Sequence, residues 1–180
     1  MAPGLADHAT SVRRESLLIG KCLGAAAVAS CQGAQLLIPA GLFGVPYHPI
    51  MLAMVVLQLA ITALAMAGLG AVLAVSIRTT ETFHAVTGFL SLPLLFLSGA
   101  MFPFTGLPSW LAAATTLHPV SYAVDAVRRT LTTALPGSPA FAGPTWAGWR
   151  PSALLETTVL AALGVFLLHV AARRFTRRSE

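Results

Sequence analysis

The stretch "PLLFLSGAMFPFTGLPSWL" (Pro93–Leu111) starts as an apolar helix and then breaks its own pattern with Ser98, Gly99, Pro103, Gly106 and Pro108. Proline is tolerated in the first turn of a helix and disrupts one elsewhere, so this segment must leave one helix and enter another within a few residues. Where that break sits relative to a membrane decides the fold.

Composition supplies the membrane. Of the 180 residues, 56% are hydrophobic and 9% are charged, against roughly 25% charged in an average soluble domain. No Asp, Glu, Lys or Arg occurs between Lys21 and Arg78, between Glu81 and Asp125, or between Glu156 and Arg173. One charge at the centre of a spanning helix costs about 2.5–3.5 kcal/mol on insertion scales, so these gaps are what hydrocarbon demands. A span needs about 20 apolar residues, and four segments qualify: Leu17–Phe43, Ile50–Ile77, Phe83–Phe102 and Ala153–Ala172. The predicted fold is therefore an all-α polytopic membrane protein with four transmembrane helices and a re-entrant or interfacial helical segment before the last.

Basic residues mark the cytoplasmic flanks of spans. Arg13, Arg14 and Lys21 put the start inside, Arg78 puts the loop "RTTET" inside, and "RRFTRR" (Arg173–Arg178) puts the end inside. The uncharged turn "GVPYHP" (Gly44–Pro49), with Tyr47 at the interface, then falls outside. Four crossings return the chain to its starting side, so both termini are expected in the cytoplasm of a cell with this protein in its plasma membrane. The expected division is a cytoplasmic segment 1–16, a transmembrane domain 17–172 whose outer helical segment covers 103–150, and a basic tail 173–180. The first apolar run lacks the cleavage site of a secretory signal.

The outer segment is too polar and Pro-rich to span and too apolar for an ordinary loop. Pro108 starts "SWLAAATTL" and Pro119 starts "PVSYAVDAVRRTL". In the latter, Val120, Val124, Val127 and Leu131 recur at helical spacing, with Ser121, Asp125, Arg128 and Arg129 on the other side. Such a helix lies on or dips into the outer leaflet, Asp125 pairing with Arg128 or Arg129. Trp110, Trp146 and Trp149 are interfacial anchors. Because non-helical backbone at membrane depth needs protein or a wet cavity around it, a re-entrant helical hairpin is expected.

The pattern "LPLLFLSGAMFPFTGLPSWLAAATTLHPVSYAVDAVRRTL" (Leu92–Leu131) resembles the signature of ABC (ATP-binding cassette) transporter permeases of the type-2 exporter class, which includes drug-resistance, polysaccharide and lipid exporters. The matching residues are Pro93, Ser98, Gly99, Phe102, Pro103, Leu107, Pro108, Trp110, Pro119, Tyr122, Asp125 and Arg128. Upstream, "RRESLLIGKCLGAA" is similar to the segment that follows the cytoplasmic coupling helix of that family. The family's domain has six spans and this chain shows four, so the first two are expected to be missing. The family also often has Asn where this chain has His118.

The resemblance implies a permease subunit that moves an amphiphilic drug, lipid or glycan outward, as in multidrug efflux. It implies a separate ABC ATPase subunit that uses ATP and Mg, a second permease domain forming a dimer, and lipid contacts. Arg13, Arg14 and Glu15 are the candidate contact with the ATPase; the alternative is that these arginines only fix topology. The chain itself is expected to bind no cofactor or metal and to be no enzyme: a phosphate-binding loop needs G-x-x-x-x-G-K-[ST], whereas Gly20 and Lys21 are followed by Cys22 and the earlier glycine position holds Glu15. A truncated, non-transporting scaffold or regulatory paralogue is the alternative reading.

Other polar residues carry less. Gln32, Gln35 and Gln58 either hold helices together or line a path. Gly20 and Gly24, and Ala63, Ala67 and Ala71, have the small-residue spacing of close helix packing. Pro93 lies mid-span as a kink or hinge, and Glu156 has Arg150 or Arg128 as prospective partners. Single histidines such as His48, His84, His118 and His169 read as interfacial polar groups, and Cys22 and Cys31 as buried free thiols. The eleven basic residues sit beside apolar segments and not along one face, which argues against nucleic-acid binding.

Overall fold

The computed structural model describes residues 14–101, 108–133, 143–145 and 149–177. Its helices are α1 (Arg14–Gln35), α2 (Pro49–Ser76), α3 (Thr80–Leu97), α4 (Ser109–Leu117), α5 (Pro119–Thr133) and α6 (Ala153–Arg177). A short 3-10 turn, Pro39–Phe43, lies between α1 and α2, and no strand occurs among the described residues. Helices α1, α2, α3 and α6 are long and apolar enough to cross a membrane. The chain is an all-α multi-pass membrane protein.

Helix boundaries follow the breakers more strictly than the apolar runs do. The first apolar run extends to Phe43, but the α-helix stops at Gln35 and the chain tightens into the 3-10 turn that Pro39 opens. Gly44, at φ +84°, takes the left-handed conformation that lets its N–H reach the carbonyls of Ala40 and Gly41, a geometry glycine adopts without side-chain strain. The Tyr47 hydroxyl donates to the Ile38 carbonyl and accepts from the Gly41 N–H at 3.0 Å, which closes the turn. Thr79 caps α3 by accepting from the Thr82 N–H, and α3 ends at Leu97, short of Phe102. Gly99 there adopts φ +72°.

Helix α2 is central, with α6 and α1 packed along it and α5 across it, while α3 stands at the margin with no buried residue. The α2–α6 seam is built of small side chains. Ala65 and Ala171 are fully buried, a Cβ on Gly68 would lie 3.1 Å from Leu167, and one on Gly164 would lie 3.2 Å from the Ala65 backbone. Small residues let spanning helices approach closely, where dispersion replaces the hydrophobic drive that lipid cannot supply. The two helices run in the same direction, held at the far end by Arg174, which donates to Ser76 Oγ at 3.0 Å.

Two expectations are corrected here. A Cβ at Gly20 or Gly24 would meet nothing within 4 Å, so their spacing makes no contact among the described residues. Cys22 is buried, against Ala71 and Ala171, but Cys31 is exposed on the outside of α1.

Candidate functional site

Helices α4 and α5 form a hairpin whose tip enters the bundle. Pro108 precedes α4 as its N-cap and Pro119 is the first residue of α5. The Tyr122 hydroxyl donates to the Thr116 carbonyl and staples the two helices together. Tyr122 packs with Leu160 of α6 and Ile61 of α2, and Leu117 and Pro119 share a cavity wall with Leu163. Leu163 lies ten residues beyond Ala153, the start of α6, or about 15 Å at 1.5 Å per residue. That is about half the hydrocarbon thickness. The tip is thus re-entrant. From it α5 climbs obliquely, from Leu160 at Tyr122 to Glu156 at Arg129.

The amphipathic character of α5 is real, and its polar side faces protein. Ser121, Tyr122, Asp125 and Ala126 are buried, whereas Val120, Val124, Val127 and Leu131 are only half-buried. Apolar side chains tolerate hydrocarbon and polar ones do not, so at this depth the polar side must find its partners inside the bundle. Ser121 Oγ donates to the Leu97 carbonyl at 2.8 Å, and Arg128 Nη2 to the Ala100 carbonyl at 3.1 Å. Both bonds tie α5 to the end of α3. Ser98 is buried there, its hydroxyl donating to Leu95 O at 2.6 Å and accepting from Ala100 N–H at 3.2 Å.

The centre of the site is a four-residue charge cluster. Asp125 is 2% exposed and Glu156 1%. Arg129 donates from Nε to Asp125 Oδ2 at 2.9 Å, from Nη2 to the same oxygen and to Glu156 Oε1 at 3.2 Å, and from Nη1 to the Pro151 carbonyl at 2.6 Å. Arg150 Nη2 donates to Asp125 Oδ1 at 2.7 Å. Two carboxylates and two guanidinium groups balance formally, which is the condition for keeping such groups out of water. Glycine is required beside them: a Cβ at Gly143 would fall 2.4 Å from the Asp125 carboxyl atoms. Together these groups lock α5 and the chain around Gly143 and Arg150 onto the first turn of α6. Glu156 Oε2 and Arg150 Nε are buried without a hydrogen-bond partner among the described residues.

The predicted site residues fall into separate groups. Ser98, Gly99, Pro119, Tyr122, Asp125 and Arg128 converge on the hairpin and the end of α3. Pro93 lies within α3, and Trp110 is 70% exposed on α4. Gln58 is buried and donates from Nε2 to Thr130 Oγ1 at 3.0 Å, joining α2 to α5. Gln32 and Gln35 stand exposed on α1, away from the hairpin. Arg14 and Glu15 open α1, and Arg13, Phe102 and Pro103 lie outside the described residues. Glu156 makes its direct ion pair with Arg129, while Arg150, one of its two expected partners, stands in the same cluster bonded to Asp125. Spacing places Arg129 one turn after Asp125, but nothing local reveals that it also reaches across to α6.

His118, read from sequence as a residue of an outer turn, is half-buried at the hairpin tip, between α4 and α5. Both its ring nitrogens are buried with no hydrogen-bond partner among the described residues. No group of three or more His, Cys, Asp or Glu able to hold a metal occurs among the described residues.

The fold and site define a polytopic membrane domain whose penultimate segment is a charge-anchored, re-entrant helical hairpin. The chain belongs to the ABC-2 type transporter family, whose model matches residues 6–132. It is similar to "Nodulation protein J" of Rhizobium leguminosarum bv. viciae, 30% identical over 122 residues that cover 68% of this chain and 47% of the relative. The protein of the same name from Rhizobium leguminosarum bv. trifolii is 31% identical over 120 residues, 66% of this chain and 45% of the relative. The chain spans about half the length of the curated relatives it matches. No solved structure matches.

Proposed function

We propose that this chain contributes the membrane pathway of an ATP-driven exporter in the plasma membrane, with both termini in the cytoplasm and the α4–α5 hairpin on the outer side. The observation that carries the reading is the family match over residues 6–132, which runs through the hairpin and the end of α3. Nucleotide chemistry, with ATP and Mg, belongs to a separate ABC ATPase subunit that meets the segment 1–16 through Arg13, Arg14 and Glu15. A second permease domain completes the assembly, and the substrate is an amphiphile: a drug, a lipid or a glycan conjugate.

In this mechanism the ATPase moves the cytoplasmic ends of the spans. The charge cluster transmits that tilt, because α5 is tied to α6 through Asp125, Arg129 and Glu156 and to α3 through Ser121 and Arg128. A hairpin fastened to two spans rises or sinks with their separation and so gates the outer exit. The test is co-purification with the ATPase subunit, followed by ATP-dependent transport in proteoliposomes. Arg13→Glu with Arg14→Glu is expected to weaken co-purification about tenfold, equivalent to about 1.4 kcal/mol. Unchanged co-purification would remove the proposed contact, and absence of any bound ATPase would favour a non-transporting scaffold.

A further inference from the structure

The cavity beneath the hairpin tip has no role in the mechanism above. Its volume is about 380 Å³, and its walls are Met66 and Leu69 of α2, Val159, Leu160, Leu163 and Leu167 of α6, and Thr116, Leu117, Pro119 and Tyr122 of the tip. That volume falls within the range of small-molecule sites. We propose that it binds one acyl chain of a membrane phospholipid from the leaflet on the hairpin side.

Three observations select this occupant. First, the polar atoms at the wall are already engaged: the Thr116 hydroxyl donates to Ala113 O at 2.8 Å, and the Tyr122 hydroxyl to the Thr116 carbonyl. The cavity therefore offers carbon and no directional partner, which suits a hydrocarbon chain and disfavours water, a glycan or a polar drug. Second, its depth fits. Along α6 it runs from Val159 to Leu167, about 12 Å of helix that begins about 9 Å below Ala153. The part nearer Ala153, above the bilayer midplane at about 15 Å, is the zone that the chain ends of the hairpin-side leaflet fill. Third, the cavity is continuous with surface that faces hydrocarbon: Leu117 at its edge is 88% exposed, and Val159 at its mouth 49%. A chain can enter sideways without crossing a polar barrier.

The bound chain would support Tyr122 and Leu160, which hold the tip at depth. The site needs only the membrane setting and does not depend on the exporter reading. The experiment uses the full chain in phosphatidylethanolamine–phosphatidylglycerol vesicles containing a phospholipid with a mid-chain photoactivatable diazirine, followed by peptide mapping of adducts. Labelling of the hairpin tip and of residues Val159–Leu167 is expected to exceed that at Phe89, which is 80% exposed on α3. Leu163→Phe, inside the cavity, and Val159→Trp, at its partly exposed mouth, are each expected to reduce tip labelling about tenfold, which corresponds to about 1.4 kcal/mol of lost affinity. Labelling at Phe89 should not change. Equal labelling of the tip and Phe89, or labelling indifferent to both substitutions, would reduce the cavity to ordinary lipid contact and overturn the proposal. An unlabelled tip beside a labelled Phe89 would show that protein covers it, with the same result.

Discussion

Asp125 is the residue on which the hairpin depends most. It accepts hydrogen bonds from both Arg129 and Arg150, whereas Glu156 accepts from Arg129 alone among the described guanidinium groups. Removing one member of a buried ion pair costs about 3–5 kcal/mol, because it leaves the partner's charge uncompensated. Asp125→Asn should therefore destabilise the protein more than Glu156→Gln, and Gly143→Ala should act in the same direction by driving a methyl group into the carboxylate. Thermal unfolding in detergent checks the order; equal melting for Asp125→Asn and the parent would remove the cluster's structural role.

At the scale of elements, proline and glycine set the helix ends and apolar run length does not. Pro108 and Pro119 announce α4 and α5 in the sequence, and Gly99 marks a stop that hydropathy, running on to Phe102, overruns. The orientation of α5 was not legible in the same way. A period of three to four says that one side is apolar, but whether the polar side meets water or protein depends on the depth of the helix, which only its contacts with Leu160 and Glu156 establish. Of the cluster only the Asp125–Arg129 pair, one turn apart, was open to a local reading: the bonds from Arg129 to Pro151 and Glu156 and from Arg150 to Asp125 each span more than twenty residues. The α2–α6 seam was half legible. Ala67 and Ala71 do lie at a packed face, but the tightest contacts pair Gly68 and Gly164 across about a hundred residues. Gly164→Val should force the two helices apart, since its Cβ starts 3.2 Å from the Ala65 backbone. Overpacking of this kind costs about 1–3 kcal/mol. A disulfide between cysteines placed at Ile61 and Leu160 should form more slowly in that variant, and an unchanged rate would mean that the seam absorbs the extra volume.

On the scale of the whole molecule, hydrocarbon is the solvent that organises the chain. It explains why large apolar side chains such as Phe89, Phe166 and Ile50 are exposed, why charge is confined to the helix ends and one neutralised cluster, and why a polar helix face turns inward. The same logic ties the direction of the spans to the exporter reading: the hairpin can gate an exit only if it lies opposite the basic segments that flank Arg14, Arg78 and Arg174. The most direct test is cysteine accessibility in intact cells, in a background with Cys22 and Cys31 replaced by alanine, using a membrane-impermeant maleimide. Cysteine at Thr133, at the far end of α5, should react in intact cells, and cysteine at Ser179 should react only after permeabilisation. Reaction of Ser179→Cys in intact cells, with Thr133→Cys protected, would contradict the account.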